Sequence, residues 1–167
     1  RLATLGIRFG RGADGTRRDG CRLMDAAETA QRLTQGLANG DSSCGAGWLW
    51  PQHATWAGAD AAGLAGVTGR IAPGQAADLL LVDLDVPELC PSWDLGWELV
   101  RLAARDQIEA VLVAGKLRLW QGWPLDWDAR ALMAEVRRVA REDIAKAPIQ
   151  KIHALSAAHR AAQHGGH

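Results

Sequence analysis

The spacing of apolar and polar positions predicts several helices in the first half of the chain. Apolar residues return every three or four positions over residues 21–38, which is the period of one helix face. Turn-forming residues 39–43 then end this helix. Two short alanine-rich helices follow at 52–56 and 59–64, with Gly58 between them. Their small side chains indicate close packing against a neighbouring element.

Four segments instead have the pattern of β-strands. Residues 7–13 predict a short strand that ends at the Asp14-Gly15 turn. Residues 78–84 form a nearly continuous apolar run, which is typical of a strand buried on both faces. Residues 108–113 and 117–120 predict a hairpin around a Gly115-Lys116 turn.

The remaining elements are helical. Residues 94–104 predict an amphipathic helix after a loop at 87–91, and a last helix, capped by Asp126 or Asp128, extends to about residue 147. This order of elements does not close on itself. A single β/α unit cannot bury both faces of its strand, so the first part of the chain indicates one unit of a larger architecture.

Composition excludes some classes of protein. The 167 residues carry 19 basic and 19 acidic side chains, so the chain lacks the positive charge of a nucleic-acid-binding protein. No run of about 18 apolar residues predicts a membrane span. The N-terminus shows neither an initiator Met nor a signal-peptide pattern. Three widely spaced cysteines without a CxxC motif predict reduced thiols in a cytoplasmic protein.

The aromatic content is concentrated in tryptophan. The chain has eight Trp, one Phe and no Tyr. Six of the eight fall in three pairs, which are Trp48 and Trp50, Trp93 and Trp97, and Trp120 and Trp123. Trp side chains supply large buried areas and one N–H that needs an acceptor. Packing between elements is favoured here over stacking on a ligand.

A family resemblance rests on the tract at residues 54–78, which leads into the apolar run at residues 78–84. It contains Ala54-Thr55, Gly58-Ala59, Gly63-Leu64 and then Gly69-Arg70-Ile71-Ala72-Pro73-Gly74-Gln75-Ala76-Ala77-Asp78. This tract resembles the amidohydrolase superfamily, and within it the s-triazine hydrolase, cytosine deaminase and 8-oxoguanine deaminase branch. The similarity extends over about residues 5–125. Its PG(K/Q)xAD core is its most specific part.

The resemblance implies an α/β fold, of which this chain supplies the end. Residues 1–65 are expected to be the last β/α unit of a TIM-type (β/α)8 barrel. Residues 66–125 are expected to be the C-terminal part of a small β-sandwich domain. Residues 126–150 then form a C-terminal helix, and residues 151–167 a flexible tail.

The resemblance also assigns one site residue. Asp14 would end the eighth barrel strand, contact a divalent metal, either zinc or iron, and act catalytically on the attacking water. The family's other five metal-site positions include an HxH pair, and none of the five is found here. The departure indicates that the metal site is incomplete, and that this chain alone binds no metal stably and is inactive.

Other polar residues have two interpretations each. Arg17 and Arg18 could meet an anionic substrate group, although solvated loop charges are favoured. His53 in an alanine-rich helix is favoured as a packing residue over a ligand. The histidines after residue 150 are favoured as part of a tail over a weak metal site. Asp78 is expected to bond backbone in its turn rather than to catalyse.

Two functions follow from the resemblance. The first is the C-terminal part of a metal-dependent amidohydrolase that hydrolyses non-peptide C–N bonds, by deamination or dechlorination of a nitrogen heterocycle. The second is a truncated, non-catalytic chain or a partner subunit that lacks the metal site. The expected partners are the small heterocycle, the missing N-terminal barrel portion and, where apolar edges are exposed, a second copy. A carbamoyl- or biotin-type β module is disfavoured by the helices at 94–104 and 126–147.

Overall fold

The computed structural model describes residue 7 and residues 9–12, 18–44 and 47–147. The chain divides into two compact units, the first ending at Trp127 and the second beginning at Asp128. Within the described residues, no helix is both long enough and apolar enough to cross a bilayer.

The longest helix of the first unit is α1, Gly20–Asn39, which confirms the helix predicted from the apolar spacing. Its first amides are capped by Asp19, whose Oδ1 accepts hydrogen bonds from the amides of Cys21 and Arg22 at 3.0 and 3.2 Å. Gly40 ends the helix in the left-handed conformation with φ 71°.

Two short helices follow, α2 at Leu49–Ala54 and α3 at Trp56–Ala61. The predicted break at Gly58 is wrong, because the helices separate at Thr55, whose hydroxyl bonds the Pro51 carbonyl at 2.8 Å. The predicted close packing is confirmed. A Cβ on Gly58 would lie 2.7 Å from the His53 carbonyl oxygen, a distance that no side chain tolerates.

A four-stranded antiparallel sheet forms the second half of this unit. Its strands lie in chain order and are β1 (Leu79–Val82), β2 (Ile108–Val113), β3 (Lys116–Trp120) and β4 (Trp123–Pro124). Leu80 pairs with Val111, and Val111 pairs with Leu119 across the next ladder. These three residues therefore lie in one row across the sheet.

The predicted hairpin is confirmed, but its turn is shifted by one residue. Ala114 and Gly115 occupy it, both with positive φ (50° and 77°), as a tight turn between twisted antiparallel strands requires. Gln121 and Gly122 make a second turn of the same kind at 47° and 80°. The two-residue strand β4 after it has no signal in the sequence pattern.

Two strand predictions need correction. The run at 78–84 is a strand but is not buried on both faces, because Leu80 and Leu81 expose 59% and 44% of their surface. β1 lies at the end of the strand order, and no other described strand pairs with its outer side. Residues 7 and 9–12 are not in a strand. A strand needs a hydrogen-bonded neighbour, and no described segment supplies one there.

The helix predicted for 94–104 is shorter and forms α4, Leu95–Arg101, capped by Asp94. Single 3-10 turns at Pro87–Leu89 and Arg105–Gln107 stand on either side of it. The packed centre of the helices contains Met24, Trp50 and Val100, with Phe9, Cys21 and Ala27 against them. This centre joins α1, α2 and α4.

The tryptophan pairs have different environments. Trp50 is buried in the centre of the helices, and Trp48 covers Gly96 so closely that a Cβ there would lie 3.1 Å from the indole. These contacts confirm packing for the first pair. Trp93 is 88% exposed, so the packing prediction is wrong for that residue.

The second unit contains α5, Ala129–Lys146. Asp128 caps it by accepting the Ala131 amide at 2.9 Å, which decides between the two predicted caps. No residue of α5 is buried. The predicted flexible tail at 151–167 lies outside the described residues.

Candidate functional site

The short run Phe9–Gly12 leads directly into the segment that carries Asp14. The run itself is described, whereas Asp14 and Arg17 lie outside the described residues. The catalytic role of Asp14 therefore stays a prediction. The geometry that bears on it is how the described chain on each side is held.

His53 on α2 holds the upstream side. Its ring stacks on the Phe9 ring with centroids 3.9 Å apart and an interplanar angle of 14°. Its Nδ1 lies 3.1 Å from the Phe9 carbonyl oxygen. His53 is 8% exposed. The predicted packing role is confirmed, and a directional bond to backbone is added to it.

Asp19 holds the downstream side. Its Oδ1 caps α1, while its Oδ2 accepts the backbone N–H of Arg105 at 3.1 Å. Arg105 begins the 3-10 turn that leads into β2. One carboxylate thus ties the start of α1 to the segment entering the sheet.

Part of the Arg11 guanidinium has no hydrogen-bond acceptor among the described residues. Its Nε and Nη1 atoms are buried and have no hydrogen-bond partner in the described chain. Burial lowers the pKa of Arg11 below its usual value, with a smaller opposing effect from Cys21. Burial, followed by the charge of Asp19, raises the pKa of the Cys21 thiol above 9.0.

Trp50 supplies a second buried donor of this kind. Its Nε1 has no partner among the described residues, and its ring contacts the Phe9 ring edge-on at 6.2 Å. Buried donors in native proteins almost always have an acceptor. The two donors lie in or beside the same short run, Phe9–Gly12.

A buried ion-pair cluster joins α1 to α4. Glu28 is 1% exposed, and its two carboxylate oxygens lie 2.8 Å from Arg32 Nε and 3.0 Å from Arg101 Nε. Arg101 Nη1 also lies 3.5 Å from Asp25 Oδ1. Two guanidiniums thus neutralise one buried carboxylate, which fixes the relative position of the two helices.

Asp78 connects two turns rather than reaching a pocket. It accepts hydrogen bonds from the Thr68 hydroxyl at 2.6 Å and from the Ala114 amide at 2.7 Å. These two bonds hold the pKa of Asp78 below its usual 3.8. The predicted structural role of Asp78 is confirmed.

Glu98 organises the loop before α4 in a similar way. Its carboxylate accepts from the Ser92 hydroxyl and from the amides of Trp93 and Asp94 at 2.5, 2.6 and 3.0 Å. The Ser92 bond, followed by the two amide bonds, lowers the pKa of Glu98 below 4.5. This carboxylate is occupied by its own loop and is not available for catalysis.

The described residues do not fit a metal centre. They contain no group of three or more His, Cys, Asp or Glu side chains placed to hold a metal ion. His53 is engaged with Phe9, and the histidines after residue 150 lie outside the described part. Arg18 is exposed.

Sequence reasoning missed Arg11 and the Glu28 cluster. The i,i+4 spacing of Glu28 and Arg32 is a visible signal for a pair on one helix face. Arg101, 73 positions beyond Glu28 in the chain, gives no such signal. The contact of His53 with Phe9 likewise joins residues 44 positions apart.

Comparison with known families decides the assignment. The profile of the Amidohydrolase family matches residues 3–118. The chain belongs to this family. The resemblance inferred from the tract at 54–83 is thereby confirmed, and the match extends to both sides of that tract.

Bacterial deaminases are similar over most of the chain. The 5-methylthioadenosine/S-adenosylhomocysteine deaminase of Pelotomaculum thermopropionicum is 32% identical over 139 residues, covering 83% of this chain and 32% of that protein. The enzyme of the same name from Nitratidesulfovibrio vulgaris is 32% identical over 140 residues, covering 84% of this chain and 32% of its own length. The chain thus spans about a third of the curated relatives it matches.

Solved structures agree on the fold. A zinc-bound adenosine deaminase from Xanthomonas campestris superposes with a TM-score of 0.65 at 33% identity, over 75% of this chain and 28% of that one. A triazine hydrolase variant superposes with a TM-score of 0.69 at 21% identity, over 82% of this chain and 30% of that one. The mixed helical and antiparallel-sheet fold described above is therefore contained in these two larger proteins.

Proposed function

We propose that this chain is the C-terminal third of a metal-dependent amidohydrolase that deaminates an adenosine-type nucleoside. The observation that carries the proposal is the match to deaminases at 32–33% identity over at least three quarters of this chain. The names of those relatives share an adenosine moiety and a deamination. They favour deamination over dechlorination for this chain.

The fold of the complete enzyme is part of the proposal. Residues 1–65 are proposed to end a (β/α)8 barrel, and residues 66–125 to complete a small β-sandwich. The unpaired donors of Arg11 and Trp50 support this view, because neighbouring barrel segments would bring backbone carbonyls or carboxylates to them. The exposed leucines of β1 support it too, since a partner layer would cover them.

In this reaction Asp14 is the catalytic residue that the chain contributes. Water adds to the ring carbon that carries the amino group, the C–N bond breaks, and ammonia leaves. The Asp14 carboxylate is proposed to accept the proton from the attacking water and to pass it to the departing amine. A carboxylate at the end of a barrel strand is positioned for that work.

The metal requires ligands that the described residues do not provide. Zinc in protein sites usually has three or four protein ligands, so one aspartate does not hold it. We therefore propose that the ligands come mainly from the N-terminal barrel portion, and that this chain alone is inactive.

The lack of a metal-ligand group in the described part also favours a second candidate. In that case the chain is a non-catalytic remnant or a partner subunit. The two candidates differ in the mass of the polypeptide that is present in the cell and in whether it binds a metal ion.

Intact mass and metal content of the natively purified protein test the proposal. We expect a mass well above 17.9 kDa, about one zinc or iron per chain, an HxH motif upstream in the same reading frame, and release of ammonia from adenosine-type nucleosides. A mass near 17.9 kDa without metal and without ammonia release would establish the non-catalytic candidate instead.

A further inference from the structure

The run Phe9–Gly12 is attached to α2 by one side chain in two ways. His53 both stacks on the Phe9 ring at 3.9 Å and places Nδ1 3.1 Å from the Phe9 carbonyl oxygen. A stack fixes the distance between two planes but permits sliding, whereas a hydrogen bond fixes direction. Together they restrain the run in both respects.

The run also lies within van der Waals distance of the backbone of the next helix, α3. Gly10 and Gly58 face each other, so that a Cβ on Gly10 would lie 3.9 Å from the Gly58 carbonyl oxygen. A Cβ on Gly58 would collide with the carbonyl of His53 itself. Gly58 belongs to α3, so the run lies against the backbone of α3 as well as against His53 on α2.

We propose that His53 is a positioning residue for the catalytic aspartate, acting through the backbone of Phe9–Gly12. This inference rests on the proposed function, since it takes Asp14 as the reacting carboxylate. A carbonyl oxygen only accepts hydrogen bonds, so the contact requires a proton on Nδ1 of the imidazole. His53 contacts neither substrate nor metal in this role.

The effect of losing the contact between His53 and Phe9 depends on how sensitive catalysis is to the position of the reacting group. A shift of the reacting group by about 1 Å can cost about 100-fold in rate. Asp14 follows Gly12 by two residues in the sequence, so we expect a displaced run to shift the position of its carboxylate. Substrate affinity depends on other parts of the enzyme and is expected to change little.

Two substitutions separate the bond from the stack. His53→Asn keeps an N–H donor near the position of Nδ1 but removes the ring, whereas His53→Phe keeps a stacking ring but removes the donor. In the native polypeptide we expect H53F to lower kcat about 10- to 100-fold with little change in KM. We expect H53N to retain most of kcat although it loses more thermal stability. Gln52→Ala, at an exposed position on the same helix, is the control.

A second readout needs no activity. Nitrogen-15 NMR of the histidine rings reports which ring nitrogen carries the proton, and the signal that H53N removes identifies His53. We expect a ring that carries a proton on Nδ1. A ring that carries its proton on Nε2 alone, or a kcat that falls in parallel with stability across the two variants, would overturn the positioning role.

Failure of the proposed function has a different signature. If Asp14→Asn leaves kcat and metal content unchanged, Asp14 is not the reacting group and the functional proposal fails. The NMR result for His53 stands independently of that outcome. If instead D14N abolishes activity while H53F leaves kcat unchanged, the enzyme assignment survives and the role of His53 does not.

Discussion

At the scale of single residues, the carboxylate of Asp78 joins parts of the chain that are 46 positions apart. It accepts from Thr68 on one side and from the Ala114 amide in the β2–β3 turn on the other. Since these bonds form with the ionised carboxylate, they lower its pKa in the folded state below 3.8. Asp78 therefore stabilises the fold when it is charged.

The expected result for Asp78→Asn follows from the sign of this shift. A carboxyl with a depressed folded-state pKa contributes stability above its unfolded pKa and loses it as pH falls through the folded value. We expect D78N to melt at a lower temperature than the wild type at pH 7. The difference should shrink below about pH 3.8, and thermal melts followed by circular dichroism across this range measure it.

Asp85→Asn is the matched control for that experiment. Asp85 is an exposed aspartate in the same half of the unit, just after β1, and its substitution should leave the pH dependence unchanged. A D78N variant whose destabilisation is the same at pH 3 and pH 7 would show that the carboxylate charge is not what these turns depend on.

Asp78 and Arg11 also show which residue roles the sequence predicts. An aspartate that closes a glycine-rich turn before a strand has a local role, and its turn partners are near in sequence or in the adjacent hairpin. Arg11 lies in a short glycine-flanked run, and nothing local indicates that its Nε and Nη1 are buried. Its environment depends on packing against α1, which sequence spacing does not reveal.

At the scale of elements, the Glu28 cluster is the main polar contact between α1 and α4. Glu28 is almost completely buried, and Arg101 supplies one of its two guanidinium partners. Removing one partner of a buried ion pair leaves an incompletely compensated charge, at a cost of about 3–5 kcal/mol. Arg32 remains in place here, so the low end of that range applies.

We therefore expect Arg101→Met to lower the free energy of unfolding by about 3 kcal/mol, measured by urea denaturation. The double variant E28Q/R101M should lose less than R101M alone, because the unpaired charge is then gone. Arg105→Ala is the control, since that side chain is 80% exposed in its ion pair with Asp106 and exposed pairs contribute little. Equal losses in R101M and R105A would contradict a buried-charge origin.

Element prediction succeeded where the signal is periodic and local. The apolar spacing of α1 and the turn chemistry of the hairpin placed those elements within one or two residues. The break between α2 and α3 was misplaced, because Thr55 rather than Gly58 ends the first helix. The predicted burial of β1 on both faces is wrong because an apolar run does not reveal which faces other elements cover, and no described element covers Leu80.

At the scale of the whole molecule, the chain combines an enzyme-family match with about a third of its relatives' length. The described residues likewise contain only part of what the proposed site requires. The described residues hold the chain on each side of the segment that contains Asp14, through His53 before it and Asp19 after it. They provide no metal-ligand group. Sequence motifs could identify the family, whereas the positioning contacts became visible only when distant segments were seen together.

The exposed strand β1 leads to a prediction about the 17.9 kDa chain by itself. Leu80 and Leu81 are exposed on opposite faces of the strand, and β1 has no described partner along its outer edge. An apolar edge strand with free N–H and C=O groups pairs readily with another chain. We expect the chain to self-associate with increasing concentration, as measured by sedimentation velocity.

Leu81→Lys should weaken this association about tenfold, which corresponds to 1.4 kcal/mol, because a charged side chain on an edge strand opposes pairing. Ile71→Lys is the control, since Ile71 is 93% exposed in a turn outside the sheet. If I71K weakens association as much as L81K does, general hydrophobicity or net charge drives it. If only L81K acts, β1 is the surface through which the chain associates.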